Sequence, residues 1–172
     1  APAARLIKAL AHYDPVLRAG AAKVIGRLQV KSATDALLKA VNDSNAAVRF
    51  ASIRALGDIR EERAIQAITE QLTYYDRGEG AWSALDALAR IAHTSSLPVF
   101  KSRLADKDPN LRRAAIEGIA RLEDASVTDF VLSVNQDPDG PVRAAMAFAL
   151  AKKGHANYLG RMLNFIDREP TA

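Results

Sequence analysis

Histidine is the side chain whose ordinary pKa best suits proton transfer and metal binding near neutral pH. The chain has three, at His12, His93 and His155. No two of them stand four residues apart, the spacing that lets two histidines on one helix share a zinc ion. The chain has no cysteine, which excludes thiolate ligands, cysteine nucleophiles and disulfides. We therefore expect no metal site and no cofactor. The redox compartment stays open, with a cytoplasmic location favoured.

Paired acidic residues are the second candidate for chemistry, since two nearby carboxylates can hold a metal ion. They recur in phase with one another, which indicates helix capping and turn roles instead. The acidic pairs are Asp106/Asp108 and Asp137/Asp139, and they stand in phase with Asp43/Asn45. Gly78-Glu79-Gly80 lacks the third glycine and the preceding strand of a phosphate-binding loop. No nucleophile elbow is present to position a catalytic serine. We predict that the chain is not an enzyme.

A fixed interval separates four arginines, each of which follows a polar turn. They stand at Arg18, Arg49, Arg112 and Arg143, with gaps of 31, 63 and 31 residues. This spacing indicates a repeat of 31 residues with one residue inserted in the third copy. Apolar anchors keep the same phase, at Ile25, Leu56, Leu88, Ile119 and Leu150. The predicted repeats span residues 3–31, 33–62, 64–94, 96–125 and 126–155.

Each repeat predicts two helices separated by a polar turn, because its apolar residues recur at three- and four-residue steps. The apolar stretches of the first helices are 6–10, 36–41, 65–72, 97–104 and 127–134. One more helix at 157–168 is expected to cap the array. Gly26, Gly57 and Gly154 lie near the ends of the second helices, where we expect left-handed turns. No stretch alternates like a strand, so the predicted fold is all-α in a single domain, 1–172.

Composition limits the classes of protein to which the chain can belong. Of its 172 residues, 49% are hydrophobic, which is enough for a folded core and argues against disorder. No apolar run approaches the roughly 18 residues that a membrane-spanning helix requires. We therefore expect no membrane insertion. The formal net charge is +4, with acidic and basic residues interleaved.

The repeats resemble a known family, and the second repeat shows the resemblance most clearly. Asp43 and Arg49, six residues apart, are followed by Ala55-Leu56-Gly57 and Ile59. This pattern resembles HEAT repeats, in the bacterial form called PBS-lyase HEAT-like repeats. The resemblance implies a right-handed α-solenoid of about five helix pairs, with the second helices lining its concave face. It also implies a polar ladder that ties neighbouring turns together. The ladder residues would be Arg18, Asp43, Arg49, Asp106, Arg112, Asp137 and Arg143.

The third repeat departs from this pattern. Gly80-Ala81 stands where the other repeats have an apolar residue and arginine, so the ladder is in doubt there. The same segment holds Tyr74, Tyr75 and Trp82, the single tryptophan of the chain. Departure from a rule in a regular array is typical of a functional site.

Helical periodicity predicts two rows of side chains across the concave face, one residue and five residues after each ladder arginine position. The first row is Ala19, Phe50, Trp82, Arg113 and Ala144. The second row is Lys23, Arg54, Asp86, Glu117 and Phe148. Aromatic residues beside arginine are typical of protein interfaces.

The favoured function is therefore non-catalytic protein binding through the concave face. Phe50 and Trp82 would be apolar anchors, and Tyr74 and Tyr75 would extend the site along the edge. The charged residues of the rows would pair with opposite charges of the partner: Lys23, Arg54, Arg113, Asp86 and Glu117.

Two alternatives stay open. A basic N-terminal patch of Lys23, Arg27, Arg54 and Arg60 would suit nucleic acid, although Asp86 and Glu117 in the same row would repel phosphate. The family resemblance also allows a chromophore-lyase-like subunit. Separately, the apolar flank at Leu6, Ile7 and Leu10 would be an open edge that a further repeat covers.

Overall fold

The computed structural model describes residues 2–123, 137–157 and 160. Within these residues the chain forms nine α-helices and no strand, which confirms the predicted all-α fold. The helices are α1 Pro2–Ala9, α2 Pro15–Arg27, α3 Thr34–Ala40, α4 Ala46–Ile59, α5 Ile65–Tyr74, α6 Gly78–Ile91, α7 Leu97–Arg103, α8 Pro109–Arg121 and α9 Gly140–Lys152. The predicted helix at 127–134 and most of the capping helix at 157–168 lie outside the described residues. None of the described helices is both long and apolar enough to cross a membrane.

The chain divides into two compact units at His93 and Thr94. In the first unit, three helix pairs follow one another: α1 with α2, α3 with α4, and α5 with α6. The second helices of these pairs, α2, α4 and α6, also pack side by side. In the second unit, α7 pairs with α8, and α8 packs against α9. This stacking of consecutive helix pairs is typical of α-solenoids.

The second helices begin where a polar side chain caps the first turn. Asp14 and Asp108 each precede a proline and accept a hydrogen bond from the backbone N–H two residues later, at 2.8 Å. Asn45 caps α4 in the same way, from the Ala47 N–H at 3.0 Å. Proline suits the first helical position because no intrahelical donor is lost there. The turns predicted from the sequence therefore lie at the observed helix starts.

The repeat period places its apolar anchors in the core. Ile25, Leu56 and Leu88 in the first unit, and Ile119 and Leu150 in the second, are completely buried. Each lies on a second helix. Burial of one such side chain contributes about 1.5–3 kcal/mol.

Two glycines have a different role from the one predicted. Gly26 and Gly57 do not turn the chain left-handed; they lie inside α2 and α4 at points of close helix contact. A Cβ atom at Gly26 would lie 2.8 Å from the Ala55 Cα, and one at Gly57 would lie 2.7 Å from the Ala87 Cα. Both distances are too short for real atoms, so only glycine permits this approach. Gly154, by contrast, does adopt a positive φ, of 97°.

The substitution Gly57→Ala tests this close contact. We expect it to destabilise the protein by about 1–3 kcal/mol, because the new methyl group meets backbone atoms that cannot move aside. Gly20→Ala is the matched control, since no atom lies within 4 Å of the Cβ position at Gly20. That change should stabilise the protein by roughly 0.5–1 kcal/mol, because alanine favours helix more than glycine does. Urea unfolding measures both, and a stabilised Gly57→Ala variant would contradict the contact.

Candidate functional site

Arg18 joins the first repeat to the second. Its Nε and Nη2 donate hydrogen bonds to the two carboxylate oxygens of Asp43, each at 2.8 Å. Its Nη1 donates to the backbone oxygens of His12 and Tyr13, at 2.8 and 2.9 Å. One guanidinium therefore satisfies the turn of its own repeat and the carboxylate of the next, a geometry that suits the planar fork of arginine.

The second unit repeats this arrangement. Arg112 donates to the carboxylate of Asp137 at 2.7 and 2.9 Å, and to the Asp106 backbone oxygen at 2.8 Å. Arg143 donates to the Asp137 backbone oxygen at 2.7 Å. The Asp106 carboxylate accepts from Arg103 within its own repeat, at 3.0 Å. The structure thus brings the ladder residues of this unit together at its turns.

Tyr75 takes the place of the ladder carboxylate in the third repeat. Its hydroxyl accepts hydrogen bonds from Arg49, from Nε at 3.0 Å and also from Nη2. Its ring lies edge-on to Phe50, with centroids 5.0 Å apart. The ring also covers Gly80, where a Cβ would lie 2.5 Å from the Tyr75 Cγ. The sequence analysis missed this role, although Tyr75 stands six residues before Ala81 as Asp43 stands six before Arg49.

Two carboxylates of the ladder, Asp43 and Asp137, have a pKa below that of free aspartate. Hydrogen bonds from Arg18 lower the pKa of Asp43, and those from Arg112 lower the pKa of Asp137, in both cases against the opposing effect of burial. Each carboxylate also accepts a backbone N–H from two residues later, at 2.9 Å. The ladder is therefore a set of ionised, hydrogen-bonded pairs with a structural role.

The partner-binding residues predicted in the two rows of the first unit all lie on second helices, and we call this set the second-helix face. It consists of Lys23 on α2, Phe50 and Arg54 on α4, and Trp82 and Asp86 on α6. Lys23 is exposed, whereas the other four are half-buried. Because Phe50 and Trp82 are half-buried, packing holds each ring in place while part of it stays accessible for contact with another molecule.

Two of the charged residues of the second-helix face already have partners within the unit. Arg54 donates to Glu79 at 3.0 Å and to the Ser83 hydroxyl at 2.9 Å, both on α6. Asp86 accepts from Arg90 at 2.8 Å. These contacts hold the charges in place, so a partner would meet a preorganised polar surface.

Three predicted residues belong to the second unit. Arg113 and Glu117 lie one turn apart on α8 and form an ion pair at 3.7 Å. Phe148 on α9 is 52% exposed, in the register position of Lys23 and Arg54. Of the two predicted edge residues, Tyr74 is 79% exposed at the end of α5. Tyr75 is only half-buried, and its hydroxyl is bound by Arg49.

Among the residues that the structure describes, no three side chains of the ligating types lie close enough together to hold a metal ion.

The repeats match a family model described as HEAT repeats, over residues 3–78 and 75–151. The chain belongs to the HEAT-repeat family. The Arg18–Asp43 and Arg112–Asp137 pairs are thus contacts between successive HEAT repeats. No curated protein sequence matches the chain significantly.

Two solved structures share this fold. One is the complex of CpcE and CpcF of phycocyanin lyase from Nostoc sp. PCC7120, with a TM-score of 0.82 at 19% identity, covering 98% of this chain and 71% of the other. The second is an engineered protein, with a TM-score of 0.66 at 19% identity, covering 97% and 86%. At this identity the likeness is one of fold, that of HEAT-repeat helix pairs.

Tyr75→Phe tests the substitute for the ladder carboxylate. It removes the hydroxyl that Arg49 binds and keeps the ring against Phe50 and Gly80. We expect a loss of about 1 kcal/mol of stability, because a charged donor loses a hydrogen-bond acceptor in a partly buried site. Thermal or urea unfolding measures it. Tyr74→Phe, at an exposed neighbouring tyrosine, should change nothing, and equal behaviour of the two variants would refute the role of Tyr75.

The ladder also predicts a response to acid. Because the pKa of Asp43 is lower folded than unfolded, its contribution is complete above about pH 4, the unfolded pKa of aspartate, and is lost as pH falls through the folded value. Asp43→Asn should therefore lower the urea midpoint at about pH 7, and the gap to wild type should close towards about pH 2. A gap that does not change with pH would show that the carboxylate charge contributes nothing.

Proposed function

We propose that this HEAT-repeat chain is a non-catalytic scaffold that binds a protein partner through its second-helix face. The observation that supports this most is the position of Phe50 and Trp82, two partly exposed aromatic side chains beside Arg54. Aromatic residues and arginine supply most of the binding energy at protein interfaces, because they bury a large area and lose little conformational freedom.

The second-helix face is also held rigid. Phe50 is fixed edge-on by Tyr75, and Arg54 by Glu79 and Ser83. A surface that is ordered before binding loses less entropy when a partner docks. Its mixed charges, with Lys23 exposed and Asp86 nearby, favour specificity and association rate more than affinity.

The similar Nostoc protein structure holds CpcE and CpcF together in one complex. Because a chain with a similar fold occurs there in a two-protein complex, this similarity supports the proposal that this chain also binds a partner protein. It does not favour lyase chemistry here, because 19% identity carries the fold alone.

Nucleic acid is the second candidate ligand, because phosphate groups would be attracted by four basic residues: Lys23, Arg27, Arg54 and Arg60. A carboxylate on the same face, Asp86, repels phosphate, and Arg54 is bound to Glu79. If nucleic acid were the ligand, binding would weaken steeply with salt and disappear in Lys23→Glu with Arg54→Glu. Absence of any DNA or RNA shift at about 50 mM salt would remove this candidate.

Trp82→Ala tests the protein-binding proposal. Partners captured by the wild-type chain from nuclease-treated native extract should be retained at least about tenfold more weakly, because an interface anchor is lost. Circular dichroism should show unchanged helix content. Tyr13→Ala is the matched control, since Tyr13 is an aromatic residue that is 89% exposed in the turn before α2, away from the second-helix face.

The proposal fails if both Trp82→Ala and the charge reversal Arg54→Glu retain every captured partner at wild-type strength. It fails equally if nuclease treatment alone abolishes capture, since that outcome identifies the ligand as nucleic acid.

A further inference from the structure

The first repeat exposes an apolar stripe, and the equivalent residues of the second and third repeats are buried. The stripe consists of Leu17, Gly20, Val24 and Leu28 on one side of α2. Leu17 is 51% exposed, Val24 40% and Leu28 65%, and Gly20 has no atom within 4 Å of its Cβ position. The flank predicted from the sequence is less open, because Leu10 is buried and Leu6 and Ile7 are half-buried.

The register of the repeats shows what this stripe does elsewhere in the unit. The equivalent positions one and two repeats later are all buried. They are Val48, Ala51, Ala55 and Ile59 on α4, and Gly80, Ser83, Ala87 and Ile91 on α6. In both helices they lie at the interface with the preceding second helix, as the Gly26–Ala55 and Gly57–Ala87 contacts show. The stripe on α2 is therefore a surface shaped for one more helix.

The surroundings of the stripe are strongly basic. Residues 2–33 hold six basic side chains and one acidic one, whereas the whole chain has 24 and 20. The rest of the chain thus holds 18 basic against 19 acidic side chains, and the net positive charge of the protein belongs to the first repeat. Neither α1 nor α2 contains an acidic residue.

Three of these cations lie on the open side, beside the stripe. Arg27 occupies the register position of Arg90, which reaches back to Asp58 on the preceding second helix at 2.9 Å. Arg5 and Lys8 occupy the positions of Ala36 and Lys39, which line the cleft between α3 and the preceding first helix. By the same register, Arg27, Arg5 and Lys8 would face a helix packed along the stripe. All three side chains are exposed.

We propose that this α2 edge, consisting of the stripe with Arg5, Lys8 and Arg27, binds an acidic amphipathic helix of a partner protein. The apolar face of that helix would lie along the stripe, and its carboxylates would meet the three cations as Asp58 meets Arg90. Helix-in-groove recognition uses such a combination of apolar anchors and flanking charges. The α2 edge shares α2 with the second-helix face but uses different residues of that helix, so substitutions can distinguish the two sites.

Two other occupants fit the observations less well. A second copy would bring one basic first repeat against another, and like charges in contact are unfavourable. A preceding repeat joined by the polar ladder would need a hydrogen-bond acceptor at position 12 for its arginine, as Asp43 and Tyr75 provide in later repeats. The chain has His12 there, and its Nδ1 already accepts from the Asp14 N–H at 3.1 Å.

Two synthetic helical peptides of about 18 residues test the proposal. Both carry the same leucine and alanine face, and one has glutamate and the other lysine at the flanking positions. Fluorescence anisotropy with the full chain should show the glutamate peptide binding about tenfold tighter than the lysine peptide, or more. Leu17→Ser with Val24→Ser should weaken the glutamate peptide by about tenfold. Arg27→Glu should weaken it and strengthen the lysine peptide.

Two variants serve as controls. Val16→Ser changes a residue on α2 that is 75% exposed but lies outside the stripe, and should bind the glutamate peptide like wild type. Trp82→Ala should change nothing, which separates this site from the second-helix face. Circular dichroism checks that the stripe variant stays folded.

Equal binding of the two peptides would overturn the proposal, as would no binding of the glutamate peptide at about 1 mM. It is also overturned if a labelled DNA or RNA duplex binds more tightly than the glutamate peptide and is insensitive to Leu17→Ser with Val24→Ser, because phosphate recognition needs the cations but not the apolar stripe.

Discussion

The close approach of neighbouring second helices is the constraint on which the first unit depends. Gly26 lies against Ala55, and Gly57 against Ala87, at distances that leave no room for a side chain. Helices that approach so closely bury most of their small side chains, and this dense packing adds to the burial of the large apolar anchors. The contact also sets the spacing between one second helix and the next.

This fixed spacing between second helices determines which side chains meet at the turns that precede them. At the turns, one arginine can reach its own backbone carbonyls and the next carboxylate, as Arg18 does with Asp43. Where the third repeat lacks the acid, Tyr75 reaches the same guanidinium from the same register position and adds an aromatic contact with Phe50. The departure in sequence therefore preserves the geometry and places aromatic side chains at the face proposed to bind a partner.

The sequence predicted the repeat and its helices well. Buried positions must be apolar in every repeat, so apolar residues recur with a period of about 31 residues. It failed where the outcome depends on the distance between helices. Gly26 and Gly57 have the positions of helix-ending glycines but serve as contact points, which only the neighbouring backbone reveals. The partners of Arg54 and Asp86 depend on side-chain reach across repeats. The exposed stripe on α2 was likewise invisible, since its residues match those that are buried in later repeats.

Because α4 packs against both α2 and α6, it is the stable centre of the first unit. Native-state hydrogen exchange tests this most directly, because it reports the opening free energy of each helix. We expect that amides of α4, around the fully buried Ile53, exchange only on global unfolding, while those of α1, which has no buried residue, exchange through local opening. Equal protection of α1 and α4, or faster exchange in α4, would contradict it.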